Sequence, residues 1–164
     1  MAEGFLQTDD TIVGLELVNF AQDLTGTKYK GCMVKNKPAF SGEMTFKDGN
    51  IYTGNLSRDG KIEGHGNLKF HDGSYYIGEF KNEQQTYGKM TIPATGSWYE
   101  GPFVNSKPNG KGKMLNYEGH LYSGDFVDEA WTGKGSVTYK NGDTYDGLWL
   151  KNDRHGWGTM TFTN

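Results

Sequence analysis

Apolar and polar positions alternate along most of this chain in short runs, and the runs recur at a fixed step. Tyr29-Lys30-Gly31, Tyr52-Thr53-Gly54, Tyr76-Ile77-Gly78, Tyr99-Glu100-Gly101, Tyr122-Ser123-Gly124 and Tyr145-Asp146-Gly147 follow one another at intervals of 23, 24, 23, 23 and 23 residues. Four residues after each tyrosine stands a large apolar side chain: Met33, Leu56, Phe80, Phe103, Phe126 and Trp149 in turn. Strand side chains alternate with period two, so tyrosine, glycine and this residue point to one face of a predicted strand. A second alternating segment follows in each copy. It reads Gly64-His65-Gly66-Asn67-Leu68-Lys69-Phe70 in copy two, with counterparts around Gly110-Lys111-Gly112, Gly133-Lys134-Gly135 and Gly156-Trp157-Gly158. It predicts the second strand of a pair. No run of ten or more residues carries helical spacing.

Asp48-Gly49, Asp72-Gly73, Thr95-Gly96, Glu118-Gly119 and Asn141-Gly142 separate the second strand of one copy from the tyrosine strand of the next. Such pairs predict tight type I′ turns, which need positive φ at both central residues. The other connections, such as Lys81 to Tyr87 and Val104 to Asn109, predict longer polar loops. The expected fold is all-β: an elongated single-layer antiparallel sheet of tandem two-stranded hairpins, on the order of 60 Å long for about thirteen strands. Residues 1–12 are expected to form a flexible lead or N-terminal cap. The array then fills 13–164, with a half copy at 13–26 and six copies starting near 29, 52, 76, 99, 122 and 145. In such an array stability and function belong to the stack of copies.

The block Tyr122-Ser123-Gly124-Asp125-Phe126 through Asn141-Gly142 resembles the MORN (membrane occupation and recognition nexus) repeat, and the resemblance runs from about residue 27 to 164. Copy one departs from the pattern with Phe40 at the first glycine of the pair and Met33 at the aromatic position. Copy three carries Thr86 at that glycine, with Pro93 and Ala94 before its turn. The resemblance implies a non-enzymatic scaffold, because such repeats occur in ciliary and cytoskeletal proteins, in junctional membrane proteins, and beside kinase or methyltransferase domains.

Composition narrows the chemistry. Only 34% of the residues are hydrophobic and 25 are glycine, about twice the usual ~7%, which suits one layer of stacked hairpins better than a two-layer core. Cys32 is the single cysteine, so no internal disulfide forms. No signal peptide and no apolar run of eighteen residues is present, which predicts an intracellular, cytoplasmic protein, with cytoskeleton or cilium suggested by the resemblance. A net charge of −3 argues against general nucleic-acid binding. Gly-Lys-Gly at 110–112 and 133–135 lacks the spacing of a phosphate loop. His65, His71, His120 and His155 show no metal-ligand spacing, and Asp9-Asp10 and Asp128-Glu129 read as lead and turn acids. No serine or cysteine nucleophile motif appears, so no enzyme activity, cofactor or metal is expected.

Function is therefore sought on the two faces. Gly31, Gly54, Gly78, Gly101, Gly124 and Gly147 leave bare backbone against which rings can pack. The expected result is a groove lined by Tyr52, Tyr76, Phe80, Tyr99, Phe103, Met114, Tyr122, Phe126, Tyr145, Trp149 and Phe162. It would receive a partner helix or peptide, or a second copy of the chain, with Phe80, Phe103, Phe126 and Trp149 as anchors. The opposite face carries Glu79, Glu100, Asp125 and Asp146 on the tyrosine strands and Lys69, Lys89, Lys111, Lys113 and Lys134 on the others. Cross-strand pairing accounts for these charges. The alternative readings are weak binding of acidic phospholipid through the lysines, or the repeat domain of a longer enzyme.

Overall fold

A computed structural model describes residues 3–4, 15–22, 25–35 and 37–163, with 3–4 and 15–22 given as backbone only. The strands are β1 (Glu3–Gly4), β2 (Leu15–Gln22), β3 (Lys28–Val34), β4 (Lys37–Thr45), β5 (Ile51–Leu56), β6 (Ile62–Lys69), β7 (Tyr75–Lys81) and β8 (Gln84–Ile92). They continue with β9 (Ser97–Val104), β10 (Lys107–Pro108), β11 (Gly110–Leu115), β12 (Leu121–Val127), β13 (Ala130–Thr138), β14 (Thr144–Leu150) and β15 (Asp153–Thr161). The chain is all-β, an antiparallel sheet of hairpins paired in chain order, and no helix occurs among the described residues. Of the expected lead, 1–12, only Glu3–Gly4 falls within the described residues, where it pairs with β2.

The turns differ from expectation, and the two kinds of connection exchange roles. Asn82-Glu83, Asn105-Ser106, Asp128-Glu129 and Lys151-Asn152 all have φ between 48° and 74°. These are the two-residue turns with positive φ at both positions whose twist matches the flanking strands, and they stand where longer loops were expected. At the Asp-Gly type sites only the glycine is left-handed, as at Gly49 (87°), Gly119 (87°) and Gly142 (92°). There Gly49 N–H donates to Phe46 O (3.0 Å) and Phe46 N–H to Asn50 O (2.9 Å), closing a three-residue loop with glycine as the terminal bulge. Asp-Gly suits either geometry, and the extra residue before the pair decides between them.

Copies that carry the glycine pair use its two members differently. The first is a bulge with positive φ: Gly64 (76°), Gly110 (93°), Gly133 (58°) and Gly156 (63°), with Phe40 forced to 65° in copy one. The register shows the consequence, since Gly124 pairs with Gly135 while Asp125 pairs with Thr132, leaving Gly133 and Lys134 as the excess. The second glycine is a seat for the tyrosine. A Cβ on Gly135 would lie 2.6 Å from Tyr122 Cε2, and one on Gly112 would lie 2.6 Å from Tyr99 Cε2. The ring thus covers two facing glycines, and its hydroxyl donates to the carbonyl three residues on. Tyr29 reaches Cys32 O (2.7 Å), Tyr52 Asn55 O (2.7 Å), Tyr99 Pro102 O (2.9 Å), Tyr122 Asp125 O (3.1 Å) and Tyr145 Leu148 O (3.2 Å). Cys32, Asn55 and Leu148 are positions that the ladder to the following strand skips, so the phenol satisfies an acceptor that the bulge has freed.

The chain divides into two compact units. The first comprises residues 1–72 and 77–84, the second 73–76 and 85–164. In the first, Tyr29, Ala39, Tyr52, Leu56, Ile62 and Phe80 are buried, and Phe80 meets Tyr52 edge-on at 5.3 Å. In the second, one unbroken chain of edge-to-face contacts runs Tyr76, Phe103, Tyr99, Phe126, Tyr122, Trp149, Tyr145, with centroids 4.9–5.5 Å apart. The edge-to-face arrangement places the positive rim of one ring on the negative face of the next. Turns of neighbouring copies are also tied together. Asn50 Oδ1 accepts from His71 N–H (3.0 Å), His120 Nδ1 from Lys140 N–H (3.2 Å) and Asp143 Oδ1 from Thr163 N–H (2.8 Å). The Thr163 N–H, aided by Asn141, holds the Asp143 carboxyl below the usual carboxylate range.

On the opposite face, Lys89 and Lys113 stand in register with Glu100, and Lys111 with Asp125. The expected pairing stops at register. Carboxylates on this sheet meet imidazoles, as in His65–Glu79 and His120–Glu118, both at 3.5 Å, while Lys89 Nζ lies 4.2 Å over the Trp98 ring. Exposed lysine–carboxylate pairs gain about 0–1 kcal/mol, too little to fix long side chains.

Gln85 is an exception within the core. It is buried, and its Nε2 has no hydrogen-bond partner. An unsatisfied buried donor costs about 1–3 kcal/mol. Gln85→Leu is therefore expected to raise the Tm by about 2–4 °C per kcal/mol recovered, with an unchanged circular dichroism spectrum. A lower Tm would show that the amide has a role that its geometry does not reveal.

Candidate interaction site

The rings expected to line an open groove are mostly inside the sheet's own packing. Tyr52, Tyr76, Phe80, Tyr99, Phe103, Tyr122, Phe126, Tyr145 and Trp149 are each 6% exposed or less. A tyrosine lies flat on its glycine pair and the residue four positions on closes over the next tyrosine, so rings seal one another without a second layer. Of the expected set, Met114 and Trp149 border open space in the second unit, and Phe162 stands 71% exposed. Truncating Phe103 or Phe126 therefore removes core.

The open space is a hollow of about 540 Å³ in the second unit. Met114, Trp131 and Trp149 border it, with Asn116, Tyr117, Glu118, His120 and Tyr139 contributed by one end and Glu129, Asn152, Asp153 and Arg154 by the other. The 116–120 turn and the 128–129 turn are at opposite ends of β12, so the hollow draws its lining from turns at both ends of the strands.

Trp131 organises it. Its ring stacks on Tyr122 at 4.3 Å and 4°, and meets Trp149 edge-on at 5.1 Å. Its backbone is fixed by Asn152, whose Oδ1 accepts from Trp131 N–H (2.8 Å) and whose N–H donates to Trp131 O (3.1 Å). Trp149 is anchored by its indole N–H donating to Gly135 O (2.9 Å).

At the other end, His120 packs edge-on against Tyr139 at 5.1 Å. Its Nδ1 accepts the Lys140 N–H, which leaves the proton on Nε2, 3.5 Å from Glu118 Oε2. Asn116 Oδ1 accepts from both Glu118 N–H and His120 N–H, at 3.1 and 2.9 Å. This end is internally hydrogen-bonded. At the far end Arg154 turns onto the Tyr145 ring (5.6 Å) and Met160 Sδ (3.8 Å), leaving Glu129 and Asp153 without an ion-pair partner among the described residues.

Trp131, Tyr139, His120, Glu129 and Asp153 were not anticipated as lining residues. Trp131 stands two positions before the bulge glycine Gly133 and two after Glu129 of the two-residue turn, a position legible only once the bulge is located. Among the described residues, no group of three or more His, Cys, Asp or Glu is placed to hold a metal, and no helix is long and apolar enough to cross a membrane.

No curated protein matches the sequence. Among solved structures, the chain is similar to the TCP domain of SAS-4 (dCPAP) in complex with a proline-rich motif of Ana2 (dSTIL), from Drosophila melanogaster. The identity is 16% and the TM-score 0.28, over 76% of this chain and 85% of that one, a likeness too distant to bear on function. The MORN repeat profile matches residues 52–75, 99–120, 122–144 and 145–164, more than half of the chain. The same segments carry the tyrosine seats and bulges described above, and the chain belongs to the MORN repeat family.

Proposed function

We propose that this chain is a non-enzymatic scaffold that binds a partner protein through the aromatic hollow of its second unit. The observation that carries the reading is the hollow itself: a tryptophan-walled depression in the second unit, with Tyr117 74% exposed at its rim. Buried rings give a rigid floor, and exposed apolar surface beside a preformed hollow is what interaction sites present. The family resemblance supports a cytoplasmic setting in a cytoskeletal or ciliary assembly.

The test pairs two faces. Tyr117→Ser and Met114→Lys should weaken binding of a protein partner about tenfold or more, the size of an ordinary hot spot. Lys111→Glu and Lys134→Glu should leave it unchanged. Loss of binding with the lysine variants alone, accompanied by co-sedimentation with phosphoinositide vesicles, would transfer the function to the opposite face. Self-association through the hollow is checked by sedimentation velocity, where a dimer dissociated by Tyr117→Ser would identify a second copy as the occupant.

A further inference from the structure

Resting on that reading, we infer that the hollow takes a peptide carrying a lysine or arginine, whose cation sits between Glu129 and Asp153.

Charge selects the side chain. Glu118, Glu129 and Asp153 line the hollow against one guanidinium, Arg154. Glu118 is already engaged by His120 and by the Asn116 side-chain amide (3.4 Å). Glu129 and Asp153 are not, because Arg154 is drawn to the Tyr145 ring instead of to them. They occupy successive turns of one sheet edge, and the paired bonds between Asn152 and Trp131 hold those turns together. A ligand cation placed there has two carboxylates beside it and an indole, Trp131, at the adjoining wall. Carboxylates supply the long-range attraction, and an aromatic wall favours a cation over a neutral chain of the same length. The apolar remainder of the peptide runs toward Met114 and Trp149.

The experiment uses the full chain and fluorescein-labelled six-residue peptides with apolar flanks and a central arginine, lysine, norleucine or glutamate. Binding is read by anisotropy, and position by the indole N–H resonances of Trp131 and Trp149. Arginine and lysine peptides should bind at least tenfold more tightly than norleucine, with glutamate weakest. Glu129→Gln combined with Asp153→Asn, both exposed positions, should abolish that preference while Tm stays the same. Norleucine peptides that bind equally well and still shift the Trp131 signal would overturn the cation assignment and leave the hollow as a docking site. Peptides that bind without moving either indole signal, or that bind Tyr117→Ser normally, would overturn both.

Discussion

Gly135→Ala is expected to lower stability by about 3 kcal/mol, the upper end of over-packing costs. That corresponds to roughly 6–12 °C in Tm for a chain of this size. The three atoms nearest to an added Cβ all belong to the Tyr122 ring. To admit a methyl group, the ring must leave its seat, and with it go the bonds to Asp125 O and Thr132 O and the stack with Trp131. The cause is side-chain contact, so it can be removed from the other side. In a Tyr122→Leu background the same substitution should cost little. Gly124→Ala provides the contrast, because its Cβ would also meet Gly135 Cα at 2.6 Å and Lys134 O at 2.7 Å, backbone that Tyr122→Leu cannot clear. Equal costs for Gly135→Ala in both backgrounds, measured as a double-mutant cycle, would refute the seat.

The second large effect is alkaline unfolding. Burial pushes the phenols of Tyr29, Tyr52, Tyr99 and Tyr122 up to about 12, while a tyrosine in the unfolded chain ionises near 10. Between those values the folded state holds protons that the unfolded state has lost. Stability is therefore full below pH 10 and falls as pH rises from about 10 through about 12, with four groups adding to the slope. Tm should be flat from pH 7 to 9.5 and then drop steeply, with the phenolate absorbance of the buried rings appearing together with loss of the β signal. If all ten tyrosines ionised near 10 with the sheet intact, the rings would not be the sealed core described here. Each phenolate would also lose its donor to the carbonyl three residues on, so ionisation and loosening of the bulge are one event.

The period, the strand pairs and the face on which tyrosine, glycine and the following aromatic residue meet are all legible in the sequence, because parity depends on nothing beyond the chain. What parity cannot convey is whether a ring is covered. Phe103 and Phe126 look like an exposed stripe in sequence and become core in the fold, because coverage is supplied by tyrosines 27 residues earlier. The turns were misassigned for a related reason. Asp-Gly is compatible with two loop lengths, and pairs such as Asp128-Glu129 do not advertise positive φ, so the choice is made by the register on either side. The hollow is out of reach for both reasons together, since Trp131 reaches it through a bulge and Glu129 through a two-residue turn that the sequence reads as part of a longer loop.

The ring-to-ring chain of the second unit also limits how such a protein can change length. Phe126 closes over Tyr99 of the preceding copy and Trp149 over Tyr122, so every copy supplies the lid for the one before it. Removing a whole copy hands its duty to an equivalent residue one period further on, whereas removing one residue from within a strand turns the rest of that strand to the other face and leaves a tyrosine uncovered. Lineages of such arrays can therefore grow or shrink by whole units of about 23 residues while keeping a closed core. The hollow is less tolerant: Trp131 belongs to one copy and Asn152, which pins it, to the next, so an exchange of units that preserves the sheet can still erase the recognition surface.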